Sequence, residues 1–463
     1  MNLHNIEFDY KFKAPLESEY VPLKVWNTAF LEGAKEPIKV AVERNDNLIS
    51  VYDTFIYGDD EHFDADFAYI ERLSKMMLWS RGGYKLFIAG NEKIAEAIKV
   101  DYSLVGKRAF DVDFMQKIYG ENFEVINCSY EDAPNENHVS VPVSKSLDGC
   151  RIGFDAGGSD RKVSAVIDGE TVYSEEVVWF PKLTADPQYH YDGIVDSMKK
   201  AASKMPRVDG IGISSAGIYI NNKTKVASLF LEVPEDDFQK YVTDIYIRAC
   251  EEVAPGKPYV VANDGDVSAL AGSMSLEKGN VLGIAMGTSE AVGYVDGNMD
   301  LTGYLNELAF APVDYQSAET AEVDEWSGDF GVGCKYFSQD AAIRLAERAE
   351  LEIDPELSLA EKLKVIQAYM EEGNEKAKDI YTSIGVYLAY TLAYYADFYD
   401  MEDVILMGRV MSGKGGDRIL EVCQEVIDAE YPELAAKMEI MLPSEKLRRV
   451  GQSAAAACLP EIK

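Results

Sequence analysis

The most restrictive stretch of the sequence lies between residues 151 and 214, where four β-rich runs and one helical stretch follow in order. Residues 151–155 (RIGFD) read as a strand, 156–162 (AGGSDRK) as a glycine-bearing turn, and 163–167 (VSAVI) as a second strand. Asp168-Gly169 is a hairpin signal ahead of a third strand over 171–179. Beyond Pro181 the spacing predicts a helix over roughly 191–204 and then the strand GIGIS at 210–214. Strands that alternate with helices in this way demand an α/β architecture.

The alternation continues downstream. It predicts a helix over 236–253, a strand at 258–263, a helix at 267–275, strands at 281–286 and 291–296, and a long helical zone from 338 to 399. The chain closes with a strand at 403–407, a helix at 417–428, a strand at 437–442 and a small-residue helix, VGQSAAAACL, at 450–459. Upstream, residues 1–35 read as a loose lead-in, and 36–135 as an α/β domain. That domain echoes the strand-turn-strand-helix-strand order of 151–214, as a degenerate half-repeat or an unrelated unit. Residues 136–150, within a Pro-, Asn- and Ser-bearing stretch, read as a linker. Boundaries at 151–275 and 276–463 complete a chain of 463 residues, in line with about 150 residues per domain.

Charge narrows the partners. Eighty acidic residues against 45 basic ones leave a net charge of −35. Nucleic acid and anionic membranes both require clustered cations, so neither is expected as a partner. The apolar run at 383–399 contains Asp397 and many tyrosines, which points to a buried helix rather than a membrane span. The N-terminus has no apolar h-region, and the six cysteines form no C-x-x-C pair, which fits reduced thiols in the cytoplasm.

Four places carry candidate chemistry. Asp155 ends a buried strand and precedes Gly157, Gly158 and Ser159, whose N–H groups suit an anion, while the carboxylate suits Mg²⁺. The alternative is a tight hairpin with glycine at positive φ. Asn263-Asp264 ends another strand, where α/β sheets place their sites. Asp264 suits a general base, and the alternative is a helix N-cap by Asp264 or Asp266. Gly287-Thr288-Ser289 is a second small-residue turn, for phosphate or merely for a hairpin. Gly408 opens GRVMSGKG, which nearly spells a P-loop, but Gly415 stands where the Mg²⁺-binding hydroxyl belongs and too little chain follows.

In this order the motifs resemble the actin-like ATPase (ribonuclease H-like) fold with two lobes, here with an extra N-terminal α/β domain. Within it they resemble the ROK family of sugar kinases and sugar-responsive repressors. RIGFDAGGS is similar to that family's first phosphate motif, VVANDGDVSALAGS to its catalytic N-D segment, IAMGTSEAVG to its second phosphate motif, and VGQSAAAA to its terminal helix. The resemblance covers about 151–463. It implies an ATP-dependent sugar kinase in which Asp155 organises Mg²⁺–ATP. Gly157, Gly158, Ser159, Gly287 and Thr288 would cradle phosphates, Gly408 would flank the adenosine, and Asp264 would be the general base. Asn263 and Glu307 would bind a small-molecule sugar. The family habit also implies a homodimer.

The chain departs from the family at three points. The E-x-G-H stretch reads Asn306-Glu307-Leu308-Ala309, no histidine follows residue 190, and only Cys334 stands where the family has a cysteine cluster. The structural zinc is therefore expected to be absent, since a tetrahedral site needs four ligands. Glu290 enters the second phosphate motif, where its charge would weaken ATP binding unless it faces away or holds a cation. The first 150 residues lack a basic recognition helix, so DNA binding is not expected. The alternative to a kinase is a non-catalytic sugar- or nucleotide-binding sensor.

Overall fold

The structure, a computed structural model, describes residues 1–144, 147–317, 320–443 and 451–462. Lys145 and Ser146 of the expected linker and Val450 of the expected last helix lie outside the described residues. Two compact units emerge. The first comprises Met1–Val139, Ile284–Val292 and Tyr304–Leu442, and the second Ser140–Gly283, Gly293–Gly303 and Pro443–Lys463.

The second unit is built on a five-stranded sheet. Strand Cys150–Ala156 pairs antiparallel with Asp160–Ile167, which pairs antiparallel with Glu170–Val178. On its other side Cys150–Ala156 pairs in parallel with Gly210–Ser215, which in turn pairs in parallel with Tyr259–Asn263. Helices Pro187–Ala202 and Ile245–Val253 contribute Ile194, Met198, Tyr246 and Ala249 to the core beside Ile152, Phe154, Ile211 and Ile213. Gly153 and Gly212 face each other in register on neighbouring strands. A Cβ on either would come within 1.6 Å of a backbone carbonyl, Ser453 O or Ala456 O. These two glycines let the closing helix, Gln452–Ala456, rest directly on the sheet. That contact explains why its sequence is serine and alanine, and the Ser164 and Ser453 hydroxyls bond across it at 2.7 Å.

In the first unit, residues 1–35 are folded rather than loose. Helix Leu23–Gly33 buries Leu23, Trp26 and Phe30, which lie at helical spacing after Pro22. Strands Glu36–Arg44 and Leu48–Ile56 form an antiparallel pair, followed by helix Phe63–Arg81 and strand Lys85–Ala89. The echo of 151–214 is one of element types only. Two strands precede the helix here and three there, so the strand after the helix runs antiparallel to the opening strand here and parallel there. Residues 1–139 belong to the same unit as Tyr304–Leu442 and do not form a unit of their own.

Helix Glu375–Tyr395 is buried along nearly its whole length, as expected of a core helix. Among the described residues no helix is long and apolar enough to cross a membrane. All six cysteines are unpaired.

Candidate functional site

In the second unit, Asp155, Ser214 and Asn263 stand at or next to the C-terminal ends of three adjacent parallel strands, with Ser214 opposite Asp155 and Ser215 opposite Asn263. Asp155 is buried, and the Ser214 hydroxyl donates to its Oδ1 at 2.9 Å. Burial pushes the Asp155 carboxyl up to about 6; the Ser214 bond opposes this, and the charge of Asp264 adds to it. The two carboxyls of the sequence reading are thus electrostatic neighbours.

The helix expected from residue 267 begins at Asp264, because the cap is Asn263. The Asn263 Oδ1 accepts from Gly265 N at 2.7 Å, and its Nδ2 donates to Gly217 O at 2.8 Å. Neither aspartate caps the helix. Asp266 instead accepts from Tyr294 N at 3.3 Å. The Asp264 carboxyl stays close to the strand ends, with Gly265 N at 3.1 Å, and desolvation raises its pKa. Gln452, from the closing helix, donates to Asp264 O at 3.0 Å and to Ser268 Oγ at 2.8 Å. Ser214 and Gln452 were not singled out in the sequence. Each fixes the backbone or carboxyl of an aspartate, and only the strand pairing and the helix seat reveal that.

The glycine turn does not use positive φ at Gly157 or Gly158. The demand there is for space. A Cβ at Gly157 would lie 2.7 Å from Asp160 O, and one at Gly158 would meet the side chain of Lys182. Trp179 ties the turn down, with its backbone N–H on Ser159 O at 3.1 Å and its indole N–H on Gly157 O at 2.8 Å.

In the first unit, Gly287 N donates to Ser289 O at 3.0 Å, and Thr288 is exposed. A Cβ at Gly287 would meet nothing closer than 3.7 Å, so the turn does not require glycine sterically. Gly408 is required, since its φ is 96° and a Cβ there would come within 2.2 Å of Met286 O. The near-P-loop is a helix start. Lys414 N donates to Glu371 Oε1 at 2.9 Å, its Nζ donates to Glu371 O at 2.7 Å, and Gly415 makes room for Tyr381.

Glu290 does not lie on the turn surface. Its side chain is buried against Gly333, and among the described residues neither carboxyl oxygen has a hydrogen-bond partner. Burial, reinforced by the charge of Glu307, pushes it up to about 8, so it is largely protonated at neutral pH. The charge that the sequence placed beside the phosphates is hidden and neutralised.

Glu307 lies in a largely irregular stretch, described over 304–317 and 320–337, that is held by groups distant in sequence. Glu307 N donates to Trp79 O, and Asn306 N to Ser80 O, both at 3.0 Å. Phe310 packs among Trp79, Phe110 and Phe114. Asp329 is buried against Arg72 (3.2 Å), Lys75 (3.2 Å) and Arg108 (2.6 Å). Glu71 and Asp111 complete a set of three cations and three carboxylates, with Glu71 on Arg72 at 2.7 Å and Asp111 on Lys75 at 2.7 Å. Buried Glu17 takes Arg344 at 2.7 Å, and buried Asp314 accepts from Val21 N at 2.9 Å and Tyr336 OH at 2.6 Å. The Cys334 thiol lies 3.5 Å from Asp324 Oδ1. Among the described residues no three His, Cys, Asp or Glu side chains are grouped to hold a metal.

No family model matches the sequence, and no curated protein does. Solved structures do match. A ROK hexokinase from Thermus thermophilus aligns at 16% identity over 67% of this chain and 97% of that one, with a TM-score of 0.51. A ROK family transcriptional regulator, a homologue of the E. coli MLC protein, aligns at 16% identity over 67% of this chain and 78% of that one, with a TM-score of 0.50. The chain has the actin-like ATPase fold of ROK proteins, as its motifs led us to expect, and a third of it lies outside the match.

Proposed function

We propose that this protein is an ATP-dependent kinase of a small sugar. The observation that carries the reading is the state of Asp264. Asn263 takes over the helix cap, which leaves the Asp264 carboxyl within electrostatic reach of Asp155 at the strand ends, where α/β folds do chemistry. Burial raises its pKa, which makes it a stronger base than an exposed aspartate. The fold shared with a hexokinase supports the same class of substrate.

In this reading Asp155, Gly157, Gly158 and Ser159 hold the phosphates of ATP, with further contacts from Gly287, Thr288 and Gly408. Asp155 has the carboxylate chemistry that Mg²⁺ takes, and the ion, when bound, neutralises phosphate charge. Asn263 and Glu307 contact the sugar. Because the Asn263 amide already serves Gly265 and Gly217, its share is its remaining N–H. Asp264 accepts the proton of the attacking hydroxyl as the O–P bond forms and ADP departs. The rest is positioning and electrostatics.

The test is sugar-dependent release of ADP across a sugar panel. Asp264→Asn is expected to lower turnover by about 10²–10⁴-fold, the usual worth of a general base, with Mg²⁺–ATP affinity unchanged. Loss of ATP binding in that variant would overturn the assigned role. A second reading, a sensor that binds sugar or nucleotide without turnover, is favoured by the absence of any histidine after residue 190 and by the regulator that shares the fold. Sustained sugar-dependent ADP production by the purified protein rules it out.

A further inference from the structure

Lys182 lies outside every motif of the sequence, yet the fold of the second unit brings it to the glycine turn. Strand Glu170–Val178 ends beside that turn, and Trp179 bonds twice to it, through Ser159 O and Gly157 O. The chain then makes a short 3-10 turn, Pro181–Leu183. Buried His190 fixes this turn, its Nε2 lying 3.0 Å from Pro181 O and its Nδ1 3.0 Å from Asp186 O, while its ring packs on Phe230.

The Lys182 stem crosses the face of Gly158. Its Cε lies 2.9 Å, and its Nζ 3.2 Å, from where a Cβ on Gly158 would stand. The lysine thus lies directly over the glycine turn. Among the described residues no carboxylate lies within ion-pair distance of this ammonium, in a chain with 80 acidic residues against 45 basic ones. Its charge nevertheless reaches Asp264, where it works against the effect of burial. An exposed cation that has no ion-pair partner among the described residues, lies over the glycine turn and carries its charge to Asp264 is arranged for a phosphate.

Resting on the kinase reading above, we propose that Lys182 binds a γ-phosphate oxygen of ATP. There it neutralises charge while the sugar oxygen bonds to phosphorus, the bond from the γ-phosphorus to the β–γ bridging oxygen breaks, and the hydroxyl proton passes to Asp264. Lys182 moves no proton itself. Its ammonium shields the approach of an anionic phosphoryl group to two aspartates, an approach that would otherwise be repulsive.

The experiment compares the full-length protein with Lys182→Met and Lys182→Arg, by calorimetric titration of Mg²⁺–ATP and Mg²⁺–ADP and by sugar-dependent ADP release. Lys182→Met is expected to weaken ATP binding by about 10-fold or more while ADP binding changes less than 2-fold, because ADP lacks the γ-phosphate. Turnover should fall by about 10²–10³-fold, with partial recovery in Lys182→Arg. An exposed side chain leaves the thermal midpoint unchanged, so these readouts report contact rather than folding. If the unaltered protein binds ATP and turns over, and Lys182→Met matches it in both, the proposal is overturned and the kinase reading stands. If the unaltered protein binds no ATP, both fall together.

Discussion

In the second unit, two glycines on paired strands let a small-residue helix rest against the sheet, whereas in the first unit the 304–337 stretch is fixed by three buried cations and three buried carboxylates. Both devices hold backbone next to proposed site residues, Asp155 and Asp264 in one unit and Glu307 in the other. The first device works by shape and is indifferent to salt and pH. The second works by charge, and removing one member leaves the buried set with an unbalanced charge. Close packing depends on local complementarity. A buried ion network depends on every member being present, because each pays a desolvation cost that only the others return.

The comparison is tested most severely at Gly212. Gly212→Ala drives a methyl into the Ala456 carbonyl and is expected to cost more than about 4 kcal/mol, the range of diagnostic core lesions. The loss in a denaturant titration should not vary with ionic strength. A strong salt dependence would break the assignment to shape.

Asp329→Ala comes next. It removes the carboxylate that Arg72, Lys75 and Arg108 share, leaves three buried cations to Glu71 and Asp111 alone, and is expected to destabilise the protein by about 3–5 kcal/mol at neutral pH. Burial alone would raise the Asp329 carboxyl, but Arg72 and Lys75 hold it below its ordinary value. A depressed folded pKa gives stability that is present above the unfolded pKa and lost as pH falls through the folded one. The gap between variant and parent should therefore close only below about pH 4, measured by urea midpoints across pH. A gap that is flat down to pH 3 would show packing, not charge.

Glu290→Gln is the smallest effect and has the opposite sign. Its folded pKa, raised to about 8, means that the folded state keeps a proton that the unfolded state releases above about pH 4.5. Stability of the parent should therefore drop as pH rises from about 5 to 8, and Gln should remove that slope, gaining on the order of 1–3 kcal/mol at pH 8. Equal slopes in both proteins would mean that the carboxyl is not protonated in the fold.

The same division explains what could be read from the sequence. Residues 151–155 were legible as a strand because Ile152 and Phe154 bracket Gly153 and a glycine turn follows. RIGFD and GIGIS also carried, unrecognised, the glycines that seat the closing helix. Asn263 shifted the helix start by three residues, since an asparagine cap competes with the two aspartates that follow it. Helix Leu23–Gly33 had its signal in Leu23, Trp26 and Phe30 behind Pro22. The fastenings of 304–337 had none. Arg72 and Asp329 are 257 residues apart, and Val21 and Asp314 are 293 apart, and periodicity carries no information over such separations. Lys182 escaped notice for a related reason: its role depends on a turn 24 residues upstream that only strand pairing brings beside it.

The ion set around Asp329 also has a consequence for inheritance. Residues 1–139 supply five of its six charges, so the extension is no detachable accessory that a gene could shed or exchange. A lineage that dropped it would leave Asp329 as a solitary charge, along with an aromatic ring at Phe310 without its neighbours. Changes at Arg72, Lys75 or Arg108 must be matched by a change at position 329. Among related sequences the two segments should be retained together or lost together.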